Sequence, residues 1–123
     1  MERRTRQRDA ILAALEESGA PLSPQEILKA AQPKHRGLGI ATIYRAIREL
    51  ISEKRLVPVE LPGLPPRYEL AGKDHHHHFE CRDCGRVLEI EGCGVDLRKI
   101  APRGLRVERH EIFLYGVCRA CAG

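Results

Sequence analysis

Ile40-Ala-Thr-Ile-Tyr-Arg-Ala-Ile-Arg-Glu-Leu-Ile51 is the stretch on which the fold turns. Its apolar residues return at intervals of three and four, the spacing that gathers side chains on one face of an α-helix. Ile40, Ile43, Ile47, Leu50 and Ile51 are expected to face inward, which leaves Thr42, Tyr44, Arg45 and Arg48 on the outer face. Upstream, Ser23 followed by Glu26 has the spacing of a capping box, with Pro24 at the first helical position. A second helix therefore starts there, buries Ile27, Leu28 and Ala31, and closes at Pro33. Gly37 and Gly39 form the loop into the third helix. Before both, Ile11, Leu12 and Leu15 followed by Gly19 predict a first helix over about residues 4–18.

Beyond Arg55 the period changes. Leu56-Val-Pro-Val-Glu-Leu61 and Arg67-Tyr-Glu-Leu70 flank a turn of Pro62-Gly63-Leu64-Pro65-Pro66, as in a hairpin. Three helices and then a hairpin is the order of a winged helix-turn-helix, although any small helical domain with a hairpin has it too. Ala71-Gly72-Lys73 is a short joint. After it, His77–Cys81 and Arg86–Ile90 read as strands around a Cys-X-X-Cys-Gly turn, residues 94–101 as a short helix stopped by Pro102, and Leu105–Tyr115 as a long strand. So little apolar content in this second part calls for a metal or a partner chain to hold it together.

Charge divides the chain at the same joint. The net charge is +4; residues 1–73 hold 13 Lys and Arg against 9 Asp and Glu, while residues 74–123 hold 8 of each. A mildly basic first part is compatible with nucleic-acid binding. No apolar run approaches the roughly 20 residues of a membrane span, and the N-terminal residues lack the apolar core of a secretory signal. A cytoplasmic location with reduced thiols is expected, so paired cysteines there point to metal before disulfides.

All five cysteines lie in the second part. Cys81-Arg-Asp-Cys84 and Cys118-Arg-Ala-Cys121 can each place two thiolates on one ion, and together they complete the closed four-thiolate site that structural Zn2+ prefers. The 33 residues between the pairs require a subdomain inserted between the knuckles. Cys93 is left over and reads as a buried or free thiol rather than a further ligand. In His75-His76-His77-His78-Phe79-Glu80-Cys81, alternate side chains of a strand share a face. His76 and His78 then point one way, and His75 and His77 the other. Glu69, Glu89, Glu91, Asp96, Glu111 and His110 are available to complete two separate sites. Mixed imidazole and carboxylate ligands suit Zn, Fe, Mn or Co without deciding among them.

Taken together, Thr5-Arg-Gln-Arg8, Gly39-Ile-Ala-Thr-Ile-Tyr-Arg45, the four histidines before Cys81-X-X-Cys84-Gly85, and Leu114-Tyr-Gly-Val-Cys-X-X-Cys121 resemble the ferric uptake regulator family across nearly the whole chain. The resemblance implies an α+β fold, with an N-terminal winged helix-turn-helix over residues 1–72 and a small α/β dimerisation domain with a four-cysteine zinc site over residues 73–123. It implies a metal-dependent, DNA-binding transcriptional repressor of metal-uptake genes that acts as a homodimer on a double-stranded operator. No membrane and no small-molecule substrate enters that picture. Structural Zn2+ falls on Cys81, Cys84, Cys118 and Cys121. A regulatory ion, Zn2+ or else Fe2+ or Mn2+, falls on Glu69, His76, His78 and Glu89, and a second site on His75, His77, Asp96 and His110. DNA contacts fall on Tyr44 and Arg45, supported by Thr42, Arg8 and Arg48.

The chain departs from the family pattern in places. Many iron-type members have a His just before the second helix, where Pro21 stands here; zinc-type members often have a Cys before the histidine run, where Leu70 and Ala71 stand. The unbroken four histidines resemble zinc sensors, and Arg45 after Tyr44 resembles iron and zinc types more than peroxide sensors. Zinc is therefore the expected signal, with iron, manganese or peroxide as alternatives. Two other classes compete. His78-Phe-Glu80 and Cys81-X-X-Cys84 evoke zinc deaminases, but there the two elements sit on separate helices with a Pro before the first Cys. A thiol oxidoreductase needs a Cys-X-X-Cys opening a helix in a βαβ unit. The expectation is no enzyme, with a zinc-dependent protein-interaction module as the remaining non-DNA reading.

Overall fold

The structure is a computed structural model that describes residues 2–73 and 75–123. The chain divides into two compact units, Met1–Lys73 and Asp74–Gly123. The fold is mixed α+β, and the first unit has the order of a winged helix: α1 (Glu2–Ser18), α2 (Pro24–Ala31), α3 (Ile40–Ser52), β1 (Leu56–Val59) and β2 (Arg67–Leu70).

Local chemistry sets each boundary. The Ser23 hydroxyl accepts from Glu26 N at 3.2 Å and the Glu26 carboxylate accepts from Ser23 N at 2.9 Å, so both halves of the capping box form ahead of Pro24. At the end of α3, Arg55 N reaches back to Leu50 O at 2.8 Å, and Lys54 takes φ 61°. This is a Schellman-type stop carried by a lysine in the left-handed region that glycine usually fills. β1 and β2 pair antiparallel, with Val57 opposite Glu69. Leu22 and Tyr68 exchange backbone hydrogen bonds of 2.9 and 2.8 Å, which fastens the hairpin to the segment before α2.

Ile11, Leu15, Ile27, Ala31, Ile43, Ala46, Ile47, Leu50 and Leu56 are among the buried residues of one apolar core. Two expected members of the α3 stripe are not in it: Ile40 and Ile51 are 39% and 36% exposed. Ile40 is the first helical residue, and the row facing the core runs through Ile43, Ala46, Ile47 and Leu50. Ala46 takes an inward place that a search for large apolar residues passed over.

The second unit holds β3 (His76–Cys81), β4 (Val87–Glu91), α4 (Leu97–Ile100), β5 (Phe113–Gly116) and α5 (Arg119–Ala122). Its sheet has the order β4-β3-β5, antiparallel on one side of β3 and parallel on the other. The expected strand over residues 105–115 shrinks to Phe113–Gly116. Alternating polarity favours an extended chain, but only those residues have a strand beside them. The helix expected over residues 94–101 shrinks to a single turn, capped by the Asp96 carboxylate on Arg98 N.

Candidate metal centres and nucleic-acid face

β3 is the element that builds the metal chemistry. Its pleat sends successive side chains to opposite faces, and Cys81 closes it beside Gly85, whose φ of 75° makes the turn of the first knuckle. The thiol sulfurs of Cys81, Cys84, Cys118 and Cys121 all lie within 4.8 Å of one another. Cys84 and Cys118 sulfurs are 3.8 Å apart, which matches the edge of a tetrahedron with Zn–S bonds of about 2.3 Å. Backbone N–H groups of Cys84 and Cys118 point at the Cys81 sulfur, at 3.5 and 3.3 Å. They hold the Cys81 thiol pKa below its usual value. Arg86 donates to the Cys118 sulfur at 3.5 Å and holds that thiol at about 6. Cys121 is pushed the other way, to about 12, first by its hydrogen bond with Cys118 and then by that with Cys81. Sulfur crowding of this kind makes successive deprotonations harder, and a dication among the four relieves it. The donor set fits a closed zinc site.

On one face of β3, His76 and His78 stand two residues apart with ring centroids separated by 4.9 Å. His76 Nε2 is 3.3 Å from Glu89 Oε1, and Glu89 is the register partner of His78 on β4. Three ligands of the expected regulatory site are thus assembled by one antiparallel ladder. Glu69, the fourth residue of that expectation, lies on β2 of the first unit, with Lys73 Nζ 3.9 Å from its carboxylate.

The opposite face gathers His75, His77 and His110. His75 Nε2 lies 3.0 Å from His77 Nε2 and 3.1 Å from His110 Nε2. Burial, and then the neighbouring imidazoles led by His75, lower the His77 pKa. His77 Nδ1 accepts from Ile112 N at 3.1 Å, so the neutral ring keeps its proton on Nε2. A metal taking Nε2 displaces that proton and costs the ring its bond to Ile112. Asp96 is not in this group. The side chain that joins the three imidazoles is Cys93, its sulfur 3.1 Å from His110 Nε2. Sequence reading left Cys93 aside because a lone cysteine has no spacing to interpret.

In the first unit, Tyr44 (46% exposed), Arg45 and Arg48 stand on the outer face of α3, with Thr42 half-buried beside them. The Tyr44 hydroxyl accepts from Gln25 Nε2 of α2 at 3.5 Å. Arg8 on α1 is ion-paired with Glu53 at the end of α3, and Arg4 with Glu49. Arg8 is therefore drawn toward α3 by a carboxylate, whereas Arg45 and Arg48 project from the helix as exposed side chains.

The family model for the ferric uptake regulator family matches residues 2–115. The ferric uptake regulation protein of Campylobacter jejuni is 31% identical over 123 residues, covering 95% of this chain and 78% of that protein. Among solved structures, the ferric uptake regulator of Helicobacter pylori, reported with three functional metal-binding sites, is 28% identical with a TM-score of 0.74, over 95% of this chain and 80% of that one. A zinc uptake regulator of M. tuberculosis is also 28% identical, with a TM-score of 0.54 over 97% and 95% of the two chains.

Proposed function

The chain belongs to the ferric uptake regulator family, and from that premise we propose that it is a metal-dependent, DNA-binding transcriptional repressor of metal-uptake genes, responsive to zinc. What carries the reading is β3 with His75 just before it, a short stretch that divides four histidines between two ligand clusters and ends on a third cluster made of thiols. A protein that only needed a zinc ion to fold would be served by the four cysteines alone. Two further imidazole clusters beside that closed site are what a sensor requires, because a regulatory ion must come and go while the structural one stays.

In this reading Cys81, Cys84, Cys118 and Cys121 hold structural Zn2+, and His76, His78 and Glu89 hold the regulatory ion. The family resemblance adds Glu69 to the regulatory set. Tyr44 and Arg45 read base edges in the major groove while Thr42, Arg48 and Arg8 support them at the phosphates. Glu53 already holds Arg8 in the free protein, so its contribution is the smallest of the five. A homodimer is supported by the apolar surface of the second unit: Ile100, Leu105, Val107, Leu114 and Tyr115 are 42–67% exposed. Five large apolar side chains left exposed on a unit this small favour an interaction surface. Two copies would present two α3 helices to a palindromic operator.

The preference for zinc rests on the unbroken histidine run and on Pro21, a buried residue where an iron-type ligand would stand. The metal acts by shifting populations, since it binds the DNA-competent arrangement better than the other. The test is fluorescence anisotropy on an operator duplex selected from a random pool with zinc present, at fixed salt, with buffered Zn2+, Fe2+ and Mn2+ titrated separately. Zinc should activate binding at far lower free concentration than the other two. Arg45→Glu should abolish binding with every metal, and His78→Ala should abolish activation while leaving the helical circular dichroism unchanged. Activation of the His78→Ala protein at wild-type zinc levels would reject the regulatory assignment; activation by iron or manganese first would reassign the signal.

A further inference from the structure

Asp96, which the family resemblance places in the second metal site, is committed elsewhere: its carboxylate accepts from Arg98 N at 3.0 Å as the cap of α4, with Arg98 Nε at 3.4 Å. Cys93 stands in the corresponding space. Gly92, with φ 75°, turns the chain immediately after β4, and Gly94 follows. Between these two glycines the backbone delivers the Cys93 sulfur to 3.1 Å from His110 Nε2. One ligand atom from each of His75, His77, Cys93 and His110 lies within 4.8 Å of all the others.

We propose that the Cys93 thiolate, not the Asp96 carboxylate, is the fourth ligand of this second site, and that the three-imidazole, one-thiolate set takes a zinc- or cobalt-like dication. The proposal rests on the reading of His75, His77 and His110 as ligands given above. A thiolate moves the site toward softer ions, whereas a carboxylate in the same place would suit Mn2+ as well. It also brings one negative charge to three neutral rings, and part of the dication's charge is neutralised inside the cluster. Cys93 and His75 are exposed, as are Cys84 and Cys121 of the four-thiolate site, while His77, Cys81 and Cys118 are buried. With one thiolate against four, the mixed site holds a soft ion less tightly than the structural site, and the metal-free Cys93 thiol is open to reagents.

Cobalt distinguishes the two ligand sets because thiolate-bound Co2+ has a near-ultraviolet sulfur-to-metal charge-transfer band that carboxylate-bound Co2+ lacks. The full chain, holding one Zn2+ in the four-cysteine site, is titrated with Co2+, and its zinc content is measured at the end to show that cobalt has displaced none. The His76, His78 and Glu89 set contains no sulfur and is silent in this band. The wild type should develop the band to saturation. Cys93→Ser should lose it, with cobalt affinity at this site falling roughly 10–100-fold, and Asp96→Asn should keep both. Persistence of the band in Cys93→Ser, its loss in Asp96→Asn, or cobalt binding by the wild type without a sulfur band would overturn the Cys93 assignment alone. Failure to bind cobalt at all would sink the ligand reading of the three histidines with it. Operator binding plays no part in this readout, so the answer stands whether or not the chain represses.

Discussion

In the first unit, twelve side chains between Ala10 and Leu56, each 0–6% exposed, share one apolar core. In the second, the buried apolar side chains among the described residues are Cys81, Val87 and Cys118, and the buried polar ones are His77 and His78. The first unit is held by area removed from water, at about 25 cal/mol per Å2 of apolar surface. The second buries ligands, and without metal it has little to offset the entropy of ordering its loops. A small protein can thus place its permanent architecture and its responsive chemistry in separate stretches of chain, each with its own source of cohesion.

The strongest way to break this comparison is to strip the metal. Apparent free energies of structural zinc binding are on the order of 10–16 kcal/mol, more than a small domain's whole stability. Exhaustive chelation, or Cys84→Ser, should therefore collapse the amide spectrum of residues 75–123 to random-coil positions, while residues 2–73 keep their dispersion. If both units melted together, the separation of cohesion would be wrong. A smaller effect, confined to the other unit, is expected from Leu50→Ala. Leu50 is fully buried at the end of the α3 row, and its truncation should cost about 2–5 kcal/mol in thermal or urea unfolding, with zinc content unchanged. Smallest is Ser23→Ala, which removes half of the α2 capping box and should cost about 1 kcal/mol by the same unfolding measurement. That variant sharpens the comparison, since its loss should leave the cobalt and zinc titrations of the second unit untouched.

The first unit was the more legible in sequence, because its signals are local and redundant. Ser23, Pro24 and Glu26 mark a helix start within four residues, and the period of Ile43, Ile47 and Leu50 repeats over two turns. Where sequence reading slipped there, at Ile40 and Ile51, it assigned inwardness by residue type to the ends of a helix that leave the core. In the second unit the spacing of the two Cys-X-X-Cys pairs announced a four-sulfur cluster, and alternation along β3 announced two imidazole faces. Strand length was not legible: Leu105 to Ile112 has the composition of a strand, but pairing depends on a neighbour that only Phe113–Gly116 finds. Nor was Cys93, since its approach to His110 depends on a backbone turn at Gly92 and on Asp96 being spent as a helix cap.

The histidine run carries an ambiguity that the last residue of β3 removes. Four identical side chains in a row mark the alignment of the strand weakly: slid by two residues, His76 would meet Glu89 where His78 meets it now. Cys81 is different in kind. It terminates the strand, bonds back to Arg86 O at 2.9 Å, and belongs to the sulfur cluster, so any displacement would pull a thiolate out of its tetrahedron. The zinc site thereby acts as a reference mark for a message written in one repeated letter. On the proposed ligand assignment the order of loading follows: the ion held by sulfur should arrive first, because until it does, the two imidazole sites would have no defined address.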